Sequence, residues 1–353
     1  VSIIRRNNQI NQFSIDSIRN GGSSVSDLST AQFDAALHAV ESEDFTPEEK
    51  AEMLMEIAMG LQQRPKSPRQ LQEAIKLYSR ALELCPPTAP ALRARILARQ
   101  ATALYAFPSE NTDSLHQARG CFEEALKALR VVGTPEETAE VEMNLGLVLQ
   151  SLSQSGQAKI QDAIQSYHRA LRTFTRERYP QEFAILHNNL AIAYLSIPMS
   201  DERAKMREAL AVQSFEEVLK VINLIDHPSE YAMIQNNLGN ALQYAASGHP
   251  LENSLRALEA YEEALKVRTR RDTPLEYANT IANKANVLRN LPDDPTNPLS
   301  GRSQNFARSR RLYLEAQEIF QHFGQAGSAA IVADALTELE RDPAAVMTNG
   351  GTP

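Results

Sequence analysis

Six prolines divide most of this chain into near-equal lengths. Pro47, Pro90, Pro135, Pro180, Pro228 and Pro274 are separated by 43, 45, 45, 48 and 46 residues. The fourth residue after each is alanine: Ala51, Ala94, Ala139, Ala184, Ala232 and Ala278. The eleventh is alanine or glycine: Ala58, Ala101, Gly146, Ala191, Gly239 and Ala285. Small residues kept at two fixed offsets through six copies point to a stack of like units, since a period of this size marks a repeat array.

Each proline suits the first turn of a helix, where its missing N–H has no partner to lose. Acidic residues follow in PEEK, PEET, PQEF, PSEY and PLEY, matching the positive end of the helix dipole. The two small positions lie seven residues apart, on one helix face, and let a second helix approach closely. That second helix is also legible. AIKLYSRAL (74–82), ARGCFEEAL (118–126), AIQSYHRAL (163–171), AVQSFEEVL (211–219) and ALEAYEEAL (257–265) carry small, aromatic and small or apolar residues at steps of four and three. That is one stripe of an amphipathic helix. SRRLYLEAQ (309–317) is a degenerate sixth copy. Each unit is therefore expected to be a helix A, a loop and a helix B.

With these residues in hand, the chain resembles the tetratricopeptide repeat family over roughly residues 45 to 324. QNNLGNALQY (235–244) with ALEAYEEAL is the strongest copy, followed by MNLGLVLQ (143–150) and HNNLAIAYL (187–195). The units are longer than the family's usual ~34 residues. The extra length falls in segments such as 196–209 and 290–307. This long form is most similar to kinesin-light-chain-type repeats and to bacterial arrays found with caspase-like peptidases. The resemblance implies an all-α, right-handed superhelical solenoid of about six helix pairs. Residues 325–340 are expected to close it as a capping helix. The repeat domain is placed at 31–343, with a short shielding helix at 31–41. Polar residues 1–30 and residues 344–353 are expected to be flexible ends.

Hydrophobic residues make up 42% of the 353 positions and charged residues 23%, which fits a folded chain. The net charge of −8 argues against a general nucleic-acid binder. Two cysteines, Cys85 and Cys121, indicate no disulfide framework. The opening VSIIRRNNQINQF lacks a signal-peptide core, and no apolar run is long enough to span a bilayer. A cytoplasmic setting is expected. None of the seven histidines has a His or Cys partner at metal-ligand spacing, and GGSSVS lacks the lysine of a phosphate loop. No metal, no cofactor and no catalytic site are expected.

In the family, the second, fifth, ninth and twelfth residues of the unit line a concave groove that holds a partner. The resemblance carries these roles onto Glu140, Met143, Leu147 and Gln150, onto Ile185, Asn188, Ile192 and Leu195, onto Met233, Asn236, Asn240 and Gln243, and onto Asn279, Ala282, Asn286 and Arg289. Asn188, Asn236, Asn240, Gln243, Asn279 and Asn286 form a candidate ladder, since an amide offers donor and acceptor to an extended backbone. Arg289 can add a bidentate carboxylate contact. The competing reading is scaffold habit. Asn144, Asn189, Asn237 and Asn283 fall at the family's structural asparagine position, and Asn240 and Asn286 match a consensus preference.

Charge is uneven. Residues 32–66 carry eight acidic and three basic side chains, and residues 266–311 carry ten basic and four acidic. Arg268, Arg270, Arg271, Arg308, Arg310 and Arg311 form a candidate basic patch, read either as a contact for an acidic partner or as a solvated face. Function is expected to be a non-catalytic adaptor or assembly factor holding a peptide or protein in the groove. The alternative is a structural subunit that makes contact through its N-terminal arm and long loops.

Overall fold

The computed structural model describes residue 40 and residues 44–63, 68–108, 111–197, 203–245, 249–297 and 303–341. The expected N-terminal arm, all of the 31–41 helix except residue 40, and the 344–353 tail lie outside these. The described residues form α1 (Pro47–Gln63), α2 (Pro68–Leu84), α3 (Pro90–Ala106), α4 (Asp113–Val132), α5 (Pro135–Gln154), α6 (Ile160–Ala170), α7 (Pro180–Ser196), α8 (Arg203–Leu219), α9 (Pro228–Tyr244), α10 (Pro250–Leu265), α11 (Pro274–Leu288), α12 (Ser303–His322) and α13 (Ala326–Arg341), with no strand among them. The chain divides inside α7, between Asn189 and Leu190, into two compact units.

All six anchor prolines open a helix, as their chemistry requires. Two of the glutamates that follow do more than meet the dipole. Thr134 Oγ1 accepts from Glu137 N at 3.1 Å, while Glu137 Oε2 accepts from Thr134 N at 2.9 Å. Thr46 and Glu49 repeat the arrangement at the start of α1, at 3.3 and 2.8 Å. Each is a capping box that satisfies two otherwise orphaned N–H groups.

In the first unit α1 packs on α2, α3 on α4 and α5 on α6; in the second α9 packs on α10 and α11 on α12. The small residues explain the pairing. A Cβ added to Gly146 would lie 2.3 Å from Tyr167 Cε1, and one on Gly239 would lie 2.6 Å from Tyr261 Cε1. The helix-B ring thus rests directly on the helix-A backbone. The six helix-B aromatics, Tyr78, Phe122, Tyr167, Phe215, Tyr261 and Tyr313, are all essentially fully buried. Consecutive helix pairs with a small residue beneath an aromatic ring are what a tetratricopeptide-type fold demands. The helix foreseen at 325–340 is α13. It seats Ala329, Val332, Ala335, Leu336 and Leu339 in one cluster with Phe306, Tyr313 and Phe320 of α12.

Candidate partner-binding face

The expected ladder does not present one uniform surface. Asn188 on α7 is fully buried, and neither of its amide atoms has a hydrogen-bond partner. On α9, Asn236 and Asn240 are buried, at 8% and 7% exposure, and Gln243 is half-buried. Every residue from Ile234 to Leu242 is buried, so this stretch of the helix is enclosed all round. On α11 the same offsets open up: Asn279 is exposed, and Ala282, Asn286 and Arg289 are half-buried.

Tyrosine hydroxyls account for several of these amides, though not for Asn188. Tyr261 Oη donates to Asn240 Oδ1 at 2.8 Å, with Gln243 Oε1 also within 3.2 Å. Tyr78 Oη donates to Gln62 Oε1 at 2.7 Å, Tyr167 Oη to Gln150 Oε1 at 2.8 Å, and Tyr313 Oη to Asn286 Oδ1 at 3.4 Å. Wherever helix B supplies a tyrosine, helix A supplies an amide twelve or fifteen residues after the proline. Where helix B carries Phe122 or Phe215 instead, those offsets hold Thr102 and Tyr105, or Ile192 and Leu195. A buried hydroxyl needs an acceptor and a phenyl ring does not. Burial pushes the Tyr167 hydroxyl well above its ordinary pKa, so it stays protonated and able to donate. Gln150, Asn240 and Asn286 therefore have a structural duty. Sequence reasoning missed this pairing, although the Tyr/Phe alternation beside the amide alternation is visible in the repeats.

Asn283 Nδ2 reaches Asn236 Oδ1 at 3.5 Å, a long contact between α11 and α9. Asn279 is exposed, and its Nδ2 donates to its own helix at Leu275 O, 3.0 Å away. Arg289 places both terminal nitrogens on Glu338 Oε2, at 3.3 and 3.2 Å, joining α11 to α13. An open strip on α11 results, running from an amide through a small alanine to a second amide and a paired arginine.

The basic patch separates into three kinds of residue. Arg268 is buried, donates to Thr280 Oγ1 at 2.9 Å, and is lowered in pKa by desolvation; it lies beneath the surface. Arg270 pairs with Glu318 at 2.8 Å and Glu315 at 3.6 Å, and Arg310 with Glu340 at 3.2 Å. Arg271 is almost fully exposed, with Asp272 at 3.9 Å. Arg308 and Arg311 are exposed and form no ion pair among the described residues.

A buried acid also escaped the sequence reading. Glu142 on α5 is 2% exposed, and its Oε1 accepts from Arg130 and Arg169, both at 2.8 Å. It ties α4 and α6 to α5. Its signal was a lone acid within the apolar run VEMNLGLVL.

Among the described residues no three His, Cys, Asp or Glu side chains are grouped to hold a metal ion, and no helix is long and apolar enough to cross a membrane. Cys85 and Cys121 are free thiols, each raised in pKa by burial.

No family model and no curated protein matches the chain. Similar solved structures include the TPR2AB-domain:pHSP90-complex of yeast Sti1, 15% identical with a TM-score of 0.28, covering 83% of this chain and 99% of that one. A Rap protein complexed with competence and sporulation factor is 12% identical with a TM-score of 0.33, covering 88% and 96%. A circular tandem repeat protein with novel repeat topology and enhanced subunit contact surfaces is 16% identical with a TM-score of 0.27, covering 91% and 75%. At these scores none of the three says what this chain binds.

Proposed function

We infer that this chain is a non-catalytic interaction scaffold that holds a peptide or protein partner against its helix-A face, in a cytoplasmic setting. The observation that supports this is the open strip of α11. Asn279 is exposed, Ala282 and Asn286 are half-buried, and Arg289 closes the strip. Ala282 is small and half-buried, and the amides on either side offer a donor and an acceptor. The contact residues of this reading are Asn279, Asn286 and Arg289, together with Gln243 at the half-buried end of α9. Asn236 and Asn240 are proposed as support behind them.

Asn279→Arg tests the reading. Position 279 is exposed, so the substitution fills the strip without touching a core. Immobilised wild-type protein and the variant are exposed to an extract of the source cells, and captured proteins are quantified by mass spectrometry. A partner retained by wild type and lost with a variant of unchanged melting temperature supports the scaffold reading. Equal recovery by both proteins removes the α11 strip from it.

A further inference from the structure

The repeats act as an alignment of the chain with itself, and one copy breaks the pattern on the outward side of helix B. Relative to the buried aromatic, the position two residues earlier is exposed in all six copies: Lys76, Gly120, Gln165, Gln213, Glu259 and Arg311. The position one residue later holds Ser79, Glu123, His168, Glu216 and Glu262 in the first five copies, and Leu314 in the sixth, where it is 42% exposed. The position five residues earlier holds Glu73, Gln117, Asp162, Leu210 and Arg256, and then Arg308. Only the sixth copy combines two arginines with an exposed leucine.

The arginines are also distinctive in their pairing. Arg256, at the equivalent offset of the fifth copy, bonds Glu216, and Arg270 and Arg310 beside the patch are paired within the chain. Arg308 and Arg311 have no such partner among the described residues. Arg308, Arg311 and Leu314 follow at steps of three residues, about 4.5 Å each along the axis. The inner side of α12, built from Phe306, Ser309, Tyr313, Ala316 and Phe320, is buried, so the three project away from the core.

We propose that the outward face of α12 is a second docking site, separate from the helix-A face, and that it takes an acidic protein segment bearing a large apolar side chain. Two carboxylates meet Arg308 and Arg311, and the apolar side chain covers Leu314. Charge complementarity selects the partner's sign, and Leu314 adds apolar burial. A nucleic acid fits less well. Its phosphates would run on over Glu315 and Glu318 one turn further along, on a chain of net charge −8, and two free arginines supply few phosphate contacts.

The test uses the full chain and short fluorescent peptides carrying two glutamates and one leucine at three-residue spacing. Companion peptides replace leucine by serine or both glutamates by glutamine, and an oligouridine serves as the nucleic-acid probe. Fluorescence anisotropy is expected to show binding of the parent peptide, weakened roughly tenfold or more by Arg308→Glu/Arg311→Glu. Leu314→Ser should weaken the parent peptide while leaving the serine peptide unaffected. Arg308→Gln/Arg311→Gln guards against effects of charge reversal on folding, and Asn279→Arg should leave this binding unchanged. Equal affinity of wild type and both arginine variants overturns the proposal. So does tighter binding of oligouridine than of peptide, or low-salt self-association that depends on Arg308 and Arg311 while the peptide fails to bind.

Discussion

The hydroxyl of Tyr261 donates to Oδ1 of Asn240 across 2.8 Å, in a site where the tyrosine is fully buried and the asparagine nearly so. This one bond changes the meaning of Asn240 from ligand contact to internal partner. It also sets up a compensation experiment that the chain has already performed. The fourth copy has Phe215, Ile192 and Leu195 where the fifth has Tyr261, Asn240 and Gln243. Asn240→Ala/Gln243→Ala should cost about 2 kcal/mol, because a buried hydroxyl loses both acceptors. Tyr261→Phe/Asn240→Ile/Gln243→Leu should recover most of that. Urea unfolding of both variants checks it; a triple variant less stable than the double would remove the pairing argument.

The ring-on-backbone contacts give a second expectation. Gly146→Ala and Gly239→Ala each place a methyl inside 3 Å of a fully buried tyrosine ring. Each should destabilise by about 1–3 kcal/mol. Gly60→Ala in α1 meets nothing within 4 Å and should be neutral or stabilising by up to ~1 kcal/mol. Melting temperatures of the three variants, measured side by side, decide the matter.

Glu142 yields a third. Replacing its carboxylate by the amide of glutamine keeps an oxygen acceptor but removes the negative charge that Arg130 and Arg169 share. Their side chains are 55% and 37% exposed, so water can solvate them. Glu142→Gln should therefore cost about 1–3 kcal/mol, below the ~3–5 of a fully enclosed pair. The effect should persist in high salt, since the carboxylate is buried. Denaturant titrations at low and high ionic strength read both features.

Acid sensitivity gives a fourth. Partial burial alone would raise the Glu137 carboxyl, but bonds from Arg95 and from the Thr134 backbone outweigh it and hold the group below its ordinary 4.5. A carboxylate with a depressed folded pKa contributes stability above its unfolded value and loses it as pH falls through the folded one. Unfolding free energy should therefore decline as pH drops below about 4.5. Glu137→Gln should start lower at pH 7 and fall less steeply. Parallel slopes for the two proteins would contradict the assignment.

The architecture was legible because its determinants are local and repeated. Proline at a helix start, alanine or glycine beneath an aromatic and a stripe at steps of four and three each act within one unit, and the six copies reinforce one another. The site was less legible because an asparagine on helix A reads the same whether it faces a partner or a tyrosine of its own helix B. Asn240 and Asn279 look alike in sequence; only the fold shows one buried against Tyr261 and the other exposed. The arginines present the same difficulty. Arg268 and Arg308 sit in similar basic runs, yet Arg268 turns inward to Thr280 and Arg308 stays at the surface.

Hydrogen–deuterium exchange of the chain with and without its captured partner tests the central claim most directly. The account predicts new protection in peptides covering α11, residues 274–289, absent when Asn279→Arg is used in place of wild type. Protection appearing elsewhere while residues 274–289 exchange as fast as in the free chain would contradict it.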